Sequence, residues 1–184
     1  MKRILFVLAL LPVLLATACA DDDLQPRRNE TDLEALNRLV PITQTGAGTF
    51  GCLLNGELWI PETTFSEDAA DAVAGTTNPN DLTISARKRP ISDSRDHLMT
   101  VGAVFVLDVE TPLKNFSKWF DKNGSGECKR LQVDTLQQNY MIVSHFDQIN
   151  KIVSGQFEAI LVNPDCPQDT ARITEGRFDL PYRD

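Results

Sequence analysis

A chain of 184 residues with 26 acidic and 18 basic side chains, net charge −8, is of one-domain size. Setting Lys2 and Arg3 aside with an export signal takes that charge to −10. So acidic a chain, whose longest basic cluster is Arg87-Lys88-Arg89, repels phosphate backbones and anionic membrane surfaces, which excludes nucleic acid as a partner.

Lys2 and Arg3 precede an apolar run from Ile4 to Ala16, interrupted only by Pro12. This is the pattern of a signal peptide and is shorter than the roughly 20 apolar residues of a spanning helix. Leu15, Ala16, Thr17 and Ala18 stand before Cys19, a lipobox-like cleavage site with Ala16 where Leu is most usual. Residues 1–18 are therefore expected to be a lipoprotein signal peptide, and Cys19 the acylated (diacylglyceryl, palmitate-bearing) first residue of the mature protein. Asp21, Asp22 and Asp23 follow at once. They read either as the start of a solvated linker or as the surface-export signal of Bacteroidota lipoproteins. The expected location is the outer membrane, anchored through lipid, with the cell surface favoured over the periplasmic face.

Residues 19–48 are expected to be a lipidated tether with one short helix, Thr31 and Glu34 forming a capping box ahead of Leu33, Leu36 and Leu39, and Pro41 ending it. About thirty residues at up to ~3.3 Å each can hold a domain well clear of a bilayer.

From residue 49 to 184 the pattern is that of a single β-rich domain. Phe50–Leu54 and Glu57–Ile60 flank Asn55-Gly56, a type I′ hairpin signal, and Pro61 closes the second strand. Further strands are expected over 82–86, 99–107, 140–146, 152–162 and 171–180. Residues 147–151 form a second hairpin turn, and Gly176 a bulge or bend. Leu113, Phe116 and Phe120 stand at helical spacing behind Pro112, predicting a second short helix over 112–120. The expected architecture is all-β, an antiparallel β-sandwich or small barrel with one or two short helices.

With Cys19 lipidated, Cys52, Cys128 and Cys166 remain, none at metal-ligand spacing. Cys128 and Cys166 lie in polar, turn-like surroundings and are the candidate disulfide, whereas Cys52 lies in an apolar strand and should be buried.

Thr43-Gln44-Thr45-Gly46, Thr49-Phe50-Gly51-Cys52-Leu53-Leu54-Asn55-Gly56 and Trp59-Ile60-Pro61 resemble the opening of a family of Bacteroidota lipoproteins of unknown function. Ile152-Val153-Ser154-Gly155-Gln156-Phe157-Glu158 and Ile173-Thr174-Glu175-Gly176-Arg177-Phe178-Asp179 resemble that family's closing strand pair. The resemblance implies a β-rich exported domain on a lipid tether, with no catalytic residues to carry over.

Catalytic motifs are sparse. There are two histidines, His97 and His145, and no nucleophile elbow or phosphate-cradling loop. His145 shares a strand face with Met141 and Val143, the setting of a packed or rim histidine. Asp121, Asn123 and Ser125, with Gly126, occupy the first, third, fifth and sixth positions of a calcium loop, but Gln132 stands where a bidentate glutamate belongs. The set is a candidate calcium site or a plain polar turn. Asp134-Thr135-Leu136 and Asp169-Thr170-Ala171 resemble short acceptor motifs for O-glycosylation in Bacteroidota. Two functions follow: a lipid-anchored binding or structural module with a protein or glycan partner, or a cell-envelope hydrolase acting on glycans through two carboxylates.

Overall fold

The computed structural model describes residues 30–63, 69–75, 78–89, 97–120 and 130–184. One helix, α1 (Glu30–Asn37), precedes ten strands: β1 (Thr49–Leu54), β2 (Glu57–Trp59), β3 (Ala70–Ala74), β4 (Asp81–Lys88), β5 (His97–Val104), β6 (Asn115–Phe120), β7 (Arg130–Val133), β8 (Tyr140–Asp147), β9 (Ile152–Val162) and β10 (Thr170–Arg183). The chain is thus mostly β, as its alternating pattern implies.

All ten strands belong to one sheet in the order β2-β1-β10-β3-β4-β5-β6-β7-β9-β8. Its ends are β2 and β8, so it is not a closed barrel. It folds back on itself because the long strands β9 and β10 also pair with each other, from Thr170↔Val162 to Pro181↔Ile152. Between the ten strands the pairings are antiparallel except for the contact of Tyr182 and Arg183 with Ala72 and Val73, so the sheet is mixed rather than purely antiparallel. That contact joins strands far apart in the chain, as parallel pairing requires.

Local chemistry accounts for several elements. Asn55 and Gly56 have φ of 53° and 82°, the paired positive angles of a type I′ turn, and they join β1 to β2 with Cys52 opposite Trp59. In β4, Leu82, Ile84 and Ala86 are buried in alternation, the period-two signature of a strand with one face inward. In β10 the buried set is Ala171 and Ile173, then Gly176, Phe178, Leu180 and Tyr182. The parity changes at a bulge between Ile173 and Gly176, where Glu175 has φ 54°. One extra residue there turns every later side chain to the opposite face.

A bulge in β8 between Val143 and His145 does the same. Met141 and Val143 are buried before it, and Phe146 packs on the core after it. His145 is therefore off the Met141–Val143 face, contrary to the simple alternation, and is half-buried.

Three further differences from the sequence pattern have physical causes. Residues 115–120 are β6, paired with β5 and β7, not a helix. The open edge of β5 offers backbone hydrogen bonds that an isolated six-residue helix cannot match, and Phe and Trp suit a strand. The helix α1 starts at Glu30, so Thr31 lies inside it rather than capping it. Beyond Val104 the chain leaves β5 and runs along the outer edge of β8. There Asp108 N–H donates to Val143 O, and Thr111 and Met141 exchange backbone bonds. This strap covers part of what would otherwise be an unpaired edge.

The core is one continuous cluster drawn from nearly every strand, including Phe50, Trp59, Ile84, Met99, Met141, Phe157, Phe178 and Leu180. Phe157 stacks on Phe50 with centroids 5.3 Å apart, and Trp59 meets Phe50 edge-on at 6.1 Å. Gly155 sits where β8, β9 and β10 approach most closely. A Cβ there would stand 2.1 Å from Ile142 O and 2.7 Å from Phe178 Cζ.

Candidate functional site

Two places in the fold concentrate polar chemistry. The first is Asp179, the buried carboxylate of the described core, 1% exposed. Its Oδ2 accepts hydrogen bonds from Thr43 Oγ1 (2.6 Å), Thr45 N (3.0 Å), Thr45 Oγ1 (3.3 Å) and Ala47 N (3.2 Å). Its Oδ1 accepts from Gly46 N (2.8 Å) and Ser154 Oγ (2.7 Å). Burial by itself would raise the carboxyl's pKa. The donors from Thr43, Thr45, Ser154 and Gly46 outweigh it and hold the group well below the ordinary carboxylate range.

This carboxylate brings together three segments far apart in the chain: residues 43–47, Ser154 on β9 and Asp179 itself on β10. Five of the six contacts fasten the strap 43–47 onto β10, and the sixth, from Ser154, ties β9 to β10. Leu39 is buried over Gly51, and Arg177 Nη1 donates to Val40 O at 3.2 Å. The strap, in the segment that reads from sequence as the end of the tether, is therefore docked on the domain. A carboxylate so committed is a structural clasp, with no lone pair directed at a substrate.

The second place is a cavity of about 340 Å³ by the end of β10, a few residues beyond Asp179, lined by Ala74, Gly75, Pro79, Phe146, Gln148, Lys151, Tyr182 and Asp184. Its walls come from the C-terminal ends of β3, β8 and β10 and from the β8–β9 turn. That turn is fixed by Asp147, whose Oδ1 accepts Ile149 N (2.8 Å) and Asn150 N (2.9 Å) and whose Oδ2 accepts Asn150 Nδ2 (2.7 Å). The bonds from Asn150 and Ile149 lower the Asp147 pKa. Lys151 completes the turn with φ 57°.

The floor is aromatic. Phe146 stacks on Tyr182 (centroids 4.8 Å apart, 14° between planes) and meets Phe105 at 5.0 Å. Lys151 Nζ stands 5.2 Å from the Tyr182 centroid and donates to both oxygens of Asp184, at 2.9 and 2.7 Å. The bond to Asp184 raises the Lys151 pKa. Burial, followed by the opposed effects of Lys151 (lowering) and Asp184 and Asp147 (raising), pushes the Tyr182 phenol up. The cavity thus pairs apolar walls with a cation and an anion side by side on its rim.

A smaller hollow of about 80 Å³ lies between Gln138, Tyr140, Glu158 and Arg172. Burial, then the charge of Glu158, raises the pKa of the Tyr140 phenol, which is hydrogen-bonded to Glu158.

Of the residues singled out from sequence, Cys166 is disulfide-bonded in a tight turn where its N–H lies 3.3 Å from Asn163 Oδ1. Cys52 is a fully buried thiol, as expected of an apolar strand. Cys19, Cys128, Asp121, Asn123 and Ser125 lie outside the described residues. Among the described residues no group of three or more His, Cys, Asp or Glu side chains could hold a metal ion, and no helix is long and apolar enough to cross a membrane. Thr135 and Thr170 are both exposed. Sequence reading misses the Asp179 clasp and the cavity. The only signal for the first was the repeated Thr and Ser in segments 43–46 and 152–158, and for the second there was none. No protein-family model, curated protein or solved structure matches the chain.

Proposed function

We propose that this chain is an exported, lipid-anchored binding module of the outer membrane or cell surface, its ligand site being the cavity between Phe146, Lys151, Tyr182 and Asp184. The cavity carries the reading: an open hollow of about 340 Å³ with an aromatic floor under an ammonium and a carboxylate has room for a small polar molecule.

Two observations support the export and anchoring part. The disulfide at Cys166 suits an oxidising compartment. Its partner in this reading is Cys128, since Cys52 is a thiol. The signal at 1–18 and Cys19 supply the lipid. Binding is favoured over glycan hydrolysis because Asp179, the buried carboxylate, is fully engaged by the strap, whereas hydrolysis needs two carboxyls facing one substrate.

Labelling of cells with an alkyne palmitate should mark the wild-type chain and not Cys19→Ala, and protease shaving of intact cells should remove a C-terminal tag. An unlabelled wild type would overturn the anchor, and a protected tag the surface assignment. For the site itself, the Ala74 methyl resonance is titrated with free amino acids, sucrose and inorganic phosphate. A resonance that moves with none of them would overturn the cavity as ligand site.

A further inference from the structure

We infer that the cavity recognises the zwitterionic head of a free amino acid, an inference that rests on the cavity being the ligand site. Its polar side chains are Lys151, Asp184, Gln148 and the Tyr182 phenol, and two of them, the Lys151 ammonium and the Asp184 carboxylate, are in direct contact at the mouth. A ligand that engages only Lys151 strips Asp184 of its partner, and one that engages only Asp184 does the reverse. A group carrying both an ammonium and a carboxylate on one carbon repartners both, and the exposed pair it opens holds little of its own.

The competing ligand chemistries fit less well. A sugar ring needs a bare aromatic face, but Tyr182 is stacked on Phe146, overlain by Lys151 and only 7% exposed. A phosphate or dicarboxylate would meet Asp184 at close range in a chain of net charge −8. A peptide end presents its ammonium or its carboxylate, not the two on one carbon. Behind the charged pair, Pro79 and Phe146 leave an apolar wall for a side chain, backed by the buried Ala74, which favours an aliphatic amino acid, with the Gln148 amide at the rim.

The test titrates the full chain with L-leucine, following the Ala74 methyl by NMR and heats by calorimetry. Saturable binding is expected, with Kd of about 0.1–1 mM for so small a ligand. N-acetyl-leucine and leucinamide, each lacking one charge, should bind at least about tenfold more weakly. Lys151→Met and Asp184→Asn should each weaken leucine by a similar factor. In Lys151→Met the gap between leucine and leucinamide should vanish, because the group that reads the carboxylate is gone. Should Lys151→Met fail to fold, Asp184→Asn on a largely exposed side chain carries the same comparison with N-acetyl-leucine. Equal affinity for leucine and its capped analogues overturns the inference. A methyl that answers to sucrose but not to leucine also overturns it while leaving the cavity as a ligand site; silence toward every probe removes both.

Discussion

Replacing Asp179 by Asn keeps the side chain's shape and removes one acceptor and the charge. The hydroxyls of Thr43, Thr45 and Ser154 can rotate to suit the amide, but the three backbone N–H groups of Thr45, Gly46 and Ala47 cannot. If the amide oxygen takes the Oδ2 position, it keeps Thr45 N and Ala47 N, and the amide nitrogen then faces Gly46 N–H, which donates at 2.8 Å in the wild type. A buried N–H opposed by a donor costs about 1–3 kcal/mol, and the remaining bonds lose the strength that a charged acceptor lends them, about 1 kcal/mol or more in total. Asp179→Asn should therefore destabilise the domain by about 2–4 kcal/mol, roughly 5–15 °C in Tm for a domain of this size. Urea unfolding followed by circular dichroism should show a lower midpoint with an unchanged m-value. Hydrogen exchange should show Gly46 and Ala47 opening ahead of the core strands. A loss under about 1 kcal/mol, or a strap as well protected as before, would refute the view of Asp179 as the clasp.

The same carboxylate sets a pH dependence. Its folded pKa lies below the ordinary value of about 3.9, so its stabilisation is whole above about pH 4 and drains away as the pH falls from there toward the folded value. Denaturant midpoints measured from pH 6 downward should show that slope in the wild type and lose much of it in Asp179→Asn. Gly155→Ala forces a Cβ against Ile142 O, so β8 must part from β9; a loss above about 3 kcal/mol is expected in chemical denaturation, and a near-neutral result would mean the strands can give. Ser154→Ala removes a 2.7 Å donor to a buried charge and should lower stability by about 1.5–3 kcal/mol, less than Asp179→Asn, in the same assay. Cys166→Ser should lower it by about 2–4 kcal/mol, a difference that reducing agent abolishes; equal stability without reductant would sink the structural role of that disulfide.

What the sequence determined by itself is the local part of the structure. Asn55-Gly56 dictates a hairpin because only certain residues tolerate two successive positive φ values, and alternation in 82–86, 152–162 and 171–180 marks strands because one face of each must be apolar. Gly176 announces a bulge for a different reason, a close backbone approach: a Cβ there would stand 2.5 Å from Phe157 O. Where a segment's conformation depended on its neighbours, the chain was silent or misleading. Residues 115–120 carry a helical spacing and became β6 because β5 had an edge to fill. Ala70–Ala74, poor in strand-forming side chains, became β3 between β10 and β4. His145 left its expected face because an extra residue had entered β8. Only the tertiary structure decided the two polar sites. Thr43, Ser154 and Asp179 meet through contacts spanning up to 136 residues, and the cavity is assembled from the ends of three strands and one turn. Hydrogen bonds and charges of that kind depend on distance in space, which no pattern along the chain records.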